Sequence, residues 1–240
     1  MGVIKSWLQA LKWFFSKRIL EDYSYANHKK KMIRDSFQKI KAWGISGSYM
    51  EFGTFRGQSI AYAFHEKSKL FIDRPGHGKS GISHIYAFDS FAGIGGITEE
   101  ELPGPFFEGS YSSTAEEYFS FLKDNYVNIS DITTIPGFFQ DSLTKSLQNR
   151  IVLECPVAAV VNIDCDIYEP ALLALNFVAP MLRQGSVVLF DDWYSYALAP
   201  NAGEVRALNE FLHENSRFLF HSWKDYGPVG RSFIVGLRQL

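Results

Sequence analysis

From about residue 49 the chain alternates short apolar runs with segments of helical periodicity. The runs Tyr49–Phe52, Ile85–Phe88, Ile132–Ile135, Val157–Ile163 and Val187–Phe190 read as buried strands. Ser59–Lys67, Ala115–Tyr126, Ala171–Leu182 and Glu204–Asn215 read as the helices between them. Such alternation requires right-handed crossovers and a mostly parallel sheet covered on both faces. The end of the chain differs. Phe218–Trp223 and Ser232–Leu237 flank the turn-rich Tyr226-Gly227-Pro228-Val229-Gly230, which predicts a hairpin and an antiparallel finish to a seven-stranded α/β sheet.

The first 44 residues follow another pattern and read as a basic, amphipathic helical arm (1–44) before the α/β domain (45–240). In Val3–Leu20 the residues Ile4, Trp7, Leu8, Leu11, Phe14 and Phe15 recur at helical spacing, with lysines opposite. Charged and amide side chains break the roughly 18 apolar residues that a membrane span or signal would need. The favoured reading is a helix packed on its own body or on a second subunit, as in a homodimer. The others are a helix lying peripherally on anionic lipid and a match of Met1–Ser6 to the myristoylation pattern. A second basic helix is expected over Tyr25–Trp43, ended by Gly44. Residues 73–83 and 92–113 read as loops, the latter long enough to form a lid.

Charge sharpens this division. Residues 1–41 carry a net +7 and the rest −9, which argues against a nucleic-acid-binding surface. Cys155 and Cys165 are the only cysteines, which excludes a disulfide scaffold or cysteine-rich zinc site and fits a reducing, cytoplasmic compartment.

In open parallel sheets ligands bind beyond the carboxyl ends of the strands. After the first run comes Glu51-Phe52-Gly53-Thr54-Phe55-Arg56-Gly57-Gln58-Ser59, a glycine turn that fits neither the dinucleotide fingerprint nor a Walker loop. The second run ends at Asp89, followed by Ser90; its carboxylate could accept a ribose diol or cap a helix. Asp164 and Asp166 follow the fourth run, Asp191 and Asp192 the fifth. Four carboxylates on neighbouring strand tips repel unless a cation lies among them, and all-oxygen donors suit Mg²⁺ or Ca²⁺ better than zinc. Phe139, Gln140 and Asp141 after the third run could cover an adenine ring and bond its amino group. None of the six histidines has metal-ligand spacing; His221, near the hairpin, is the one expected close to the strand tips.

Taken in order, these segments resemble class I S-adenosylmethionine-dependent methyltransferases, whose fold is Rossmann-like. More narrowly, the chain resembles the macrocin O-methyltransferase family, which methylates sugars in macrolide and aminocoumarin pathways. Further signatures are Phe88-Asp89-Ser90-Phe91-Ala92-Gly93-Ile94, Phe107–Tyr111, Gly137–Leu143, Asp164–Pro170 and Asp191-Asp192. The resemblance implies that Glu51, Gly53 and Ser59 surround the methionine part of S-adenosylmethionine, together with Thr54, Phe55 and Gly57 of the same turn. It puts Asp89 and Ser90 at the ribose and Phe139, Gln140 and Asp141 about the adenine. Asp164, counted with both cofactor and metal, holds Mg²⁺ with Asp191 and Asp192, and Asp166 supports them. The loop 73–83 and Gly95-Gly96, where the family often has Pro, depart from that pattern. The expected activity is Mg²⁺-dependent O-methylation of a sugar or glycosylated small molecule, with His221 or a carboxylate as base. A catechol or phenol acceptor, and a non-catalytic assembly role, are the competing readings.

Overall fold

A computed structural model describes residues 27–71, 81–102 and 104–238. The expected seven-stranded sheet is present: β1 Gly47–Phe52, β2 Ile82–Asp89, β3 Ile132–Pro136, β4 Ala158–Ile163, β5 Val187–Phe190, β6 Phe218–Tyr226 and β7 Gly230–Leu237. Its order is β3-β2-β1-β4-β5-β7-β6. β1 to β5 pair in parallel, whereas β7 runs antiparallel to both β5 and β6. The order reverses at β1, between β2 and β4, and a crevice opens at such a switch point.

Alternating side chains supply two cores. On one face Met50, Phe52, Phe88, Val161, Ile163 and Phe190 meet Ala171, Leu175, Leu208 and Phe211. The last four lie on α6 (Tyr168–Val178) and α7 (Gly203–Glu214). On the other face Tyr49, Ile85, Val160 and Leu189 meet the helix α1 (27–42), α2 (Gln58–Leu70) and α3 (Ala115–Asp124). Met32, Ile33, Phe37 and Ile40 of α1 are buried in that second core, so this stretch of the basic segment packs on the body. Arg34 clamps α1 to α2 by donating to both oxygens of Glu66, at 3.0 and 3.1 Å. Gly44 ends the helix in the left-handed conformation (φ 67°). The readings over Val3–Leu20 concern residues outside those described.

Two short helices absent from the sequence reading, α4 (Phe139–Ser142) and α5 (Lys145–Glu154), follow β3. α5 buries only Gln148 and Ile151, too few apolar positions to register as a period. Gln148 instead donates to the carbonyls of Asn176 and Phe177. Among the described residues no helix is long and apolar enough to cross a membrane.

Candidate active site

The turn after β1 is built around its first glycine. Gly53 has φ 86°, and a Cβ there would fall 1.9 Å from the Asp164 carbonyl oxygen, so only glycine lets β1 and β4 leave the sheet side by side. Asp89, at the tip of β2, braces the turn: its Oδ2 accepts the backbone N–H of Thr54 and Phe55 at 2.6 and 2.7 Å. Its Oδ1 accepts the N–H of Phe91 at 2.7 Å. The Thr54 hydroxyl also donates to Oδ2, at 3.4 Å, so Oδ1, which accepts a single hydrogen bond, is the oxygen with room for a ligand hydroxyl.

Glu51 lies beneath the turn, fully buried, and accepts hydrogen bonds from the hydroxyls of Tyr49 and Ser59. Burial raises its pKa, while the Lys29 charge and the two hydroxyls oppose the rise. Glu51 and Ser59 therefore support the turn and do not reach the cavity wall. Thr54 is buried below them, and Gly57 abuts the Tyr118 ring at the start of α2.

The carboxylates after β4 and β5 do converge. One donor oxygen from each of Asp164, Asp191 and Asp192 lies within 4.8 Å of the others. Burial, and then mutual repulsion, pushes the Asp192 pKa up to about 7 and raises that of Asp166, which stands beside it. Asp164 is raised by burial against the pull of Lys29. Behind them Glu204, 1% exposed, accepts the Asp192 N–H at 3.0 Å through Oε2. Its other oxygen, Oε1, is buried without a partner among the described residues. Such a set of oxygen donors fits a hard divalent cation.

Sequence reasoning missed a cation in this cluster. Lys29 of α1 donates to Asp164 Oδ2 and, at 3.1 Å, to Asp191 Oδ2. Burial alone would lower its pKa, but Asp164, Asp191 and Glu51 hold it well above the ordinary lysine value. Lysines 29 to 31 run consecutively, and only tertiary packing singles one out.

Lys29, Gly53, Asp89 and the carboxylates Asp164, Asp166, Asp191 and Asp192 open into one cavity of about 610 Å³. Of the expected residues, Gly53, Phe55, Asp89, Ser90, Phe139, Gln140, Asp164, Asp191 and Asp192 line it. Glu51, Thr54, Gly57 and Ser59 do not, for the reasons above, nor does Asp141, which is exposed on the outer side of α4. His221 is a clear correction. It is exposed on the edge strand β6 and pairs with Ile234, itself opposite Val187 at the start of β5. That is the far end of the sheet from Asp191.

The loop expected over 92–113 is irregular over its described parts and is pinned to the body. Buried Glu101 accepts the N–H of Tyr168 and Gly203, at 2.6 and 3.1 Å, where α6 and α7 begin. Gly93 to Gly96, Tyr111, Phe138 and Val229 complete the wall.

Comparison with known proteins identifies the fold and the family. Among solved structures, the O-methyltransferase NovP is 17% identical with a TM-score of 0.63, over 86% of this chain and 79% of that one. The calicheamicin methyltransferase CalS11 is 18% identical with a TM-score of 0.63, over 85% and 77%. At these identities the likeness is one of fold, and the fold is that of class I methyltransferases. No curated protein sequence matches the chain. The macrocin-O-methyltransferase (TylF) family profile matches residues 25–216, a span that contains α1 through α7. The chain therefore belongs to the macrocin O-methyltransferase family and is an S-adenosylmethionine-dependent O-methyltransferase.

Proposed function

We propose that this enzyme methylates a hydroxyl of a sugar or glycosylated small molecule, with Mg²⁺ held by Asp164, Asp191 and Asp192. The observation that carries the reading is the opening of these carboxylates into the same cavity as the Gly53 turn and Asp89. A second support is the likeness to the structure of CalS11, a TDP-rhamnose 3'-O-methyltransferase (19% identity, TM-score 0.54).

When bound, the cation supplies a Lewis acid and a template for one or two neighbouring hydroxyl oxygens, whose pKa it lowers. The chain's own residues do the rest. Gly53, Asp89, Ser90, Phe139 and Gln140 hold S-adenosylmethionine, Asp89 through a ribose hydroxyl and Phe139 through the adenine face. That leaves the Asp164–Asp192 side of the cavity for the acceptor, so the reacting oxygen and methyl group meet without a large search. Apolar Ile94, Phe138, Ile167 and Val229 help to exclude water. No histidine lines the cavity among the described residues, so a carboxylate of the cluster takes the hydroxyl proton.

The test is turnover of a panel of glycosides and catechols with and without EDTA, for wild type and for Asp191→Ala/Asp192→Ala. Glycoside methylation abolished by EDTA and by the double variant is expected. Full activity under both conditions removes the metal from the reading, and turnover of catechols alone removes the sugar.

A further inference from the structure

The Lys29 ammonium stands where a cation is needed. It bonds two of the three carboxylates assigned above to the ion, and Lys29 is only 9% exposed. It is also the single basic residue among the described cavity-lining residues, against Asp89, Asp164, Asp166, Glu169, Asp191 and Asp192. One ammonium leaves most of that charge uncompensated, so the cluster still attracts a divalent ion. Yet the same oxygens cannot serve both cations at contact distance, since ammonium and metal repel each other.

We propose that Lys29 and a divalent cation compete for Asp164 and Asp191: Lys29 holds the pair while the ion is absent and gives it up when the ion binds. The inference rests on the metal reading above and deepens it. A doubly charged ion gains more from the same carboxylates than an ammonium does, so the exchange runs toward the metal. The displaced ammonium is not stranded. Glu51 already contributes to the field around it, and its four-carbon stem can swing it along the cavity wall, where its N–H donors face the acceptor. Lys29 lies in the first described turn of α1, so the exchange loosens that turn while Met32, Ile33 and Phe37 keep the helix seated.

The experiment measures Mn²⁺ binding to the full chain from the electron paramagnetic resonance signal of free Mn²⁺. If Lys29 holds the pair about nine-tenths of the time, Lys29→Met binds Mn²⁺ about ten-fold more tightly than wild type. Asp191→Asn should lose binding. A folded Lys29→Met protein that binds Mn²⁺ no more tightly overturns the proposal. A second readout needs no variant. Hydrogen exchange on the wild type should show Mn²⁺ speeding exchange at the amides of residues 31–34, whose helical acceptors lie in the first turn. Unchanged exchange there also overturns it. Mn²⁺ binding without either effect removes this proposal alone. No Mn²⁺ binding by wild type, with turnover in EDTA, removes the metal reading and this proposal together.

Discussion

Asp192 illustrates how a single side chain reports on its surroundings. Its folded pKa of about 7 lies far above the roughly 3.9 of an unfolded aspartate. A raised carboxyl pKa means that the folded chain holds the proton more tightly. This group's contribution to stability is thus complete below pH ~4 and is lost as pH rises through ~7. A divalent ion needs the deprotonated form and relieves the repulsion. Mg²⁺ should therefore raise the melting temperature more at pH 8 than at pH 5.5; an equal rise at both, by differential scanning fluorimetry, contradicts this. The carboxylates were legible in the sequence because each directly follows an apolar run, and strand ends fix where such residues go. Lys29 was not, because its role depends on how α1 lies across β1 and β4, which no local spacing encodes.

At the scale of elements, α1 and the lid carry the predictions. Phe37 is fully buried, in edge contact with Tyr49 (ring centroids 5.7 Å). Phe37→Ala should cost about 3–5 kcal/mol in urea denaturation if α1 folds with the body; a loss below 1 kcal/mol would mark α1 as a detachable arm. Glu101 joins three segments by accepting backbone N–H groups of Thr98, Tyr168 and Gly203. Removing it leaves buried donors unpaired, so Glu101→Ala should cost about 1–3 kcal/mol and raise the acceptor KM more than it lowers kcat. A variant with unchanged KM would free the lid from that role. Glu101 gives no signal in the sequence, because its partners Tyr168 and Gly203 lie 67 and 102 residues further on. The α5 helix escaped for the opposite reason, since its buried face includes a glutamine.

Across the whole molecule, function follows the polarity of the sheet. Gly53, Asp89, Asp164, Asp191 and Asp192, each just after a parallel strand or at its tip, line the cavity, whereas Thr54, Gly57 and Ser59 lie behind its wall and His221 lies away from it. β6 runs on to Tyr226, three residues beyond the strand expected from sequence. His221 therefore sits about 16 Å short of the strand tip, at some 3.3 Å per residue. His221→Ala should accordingly leave kcat/KM within about two-fold of wild type, and a hundred-fold loss in steady-state assays would restore it to the mechanism. The turn braced by Asp89 has a different consequence. Two of its own amides, those of Thr54 and Phe55, already bind that carboxylate before any ligand arrives, so the berth is finished in advance. Little ordering remains to oppose docking, and the nucleoside should enter at a rate set by encounter with the cavity mouth instead of by waiting for the chain to rearrange.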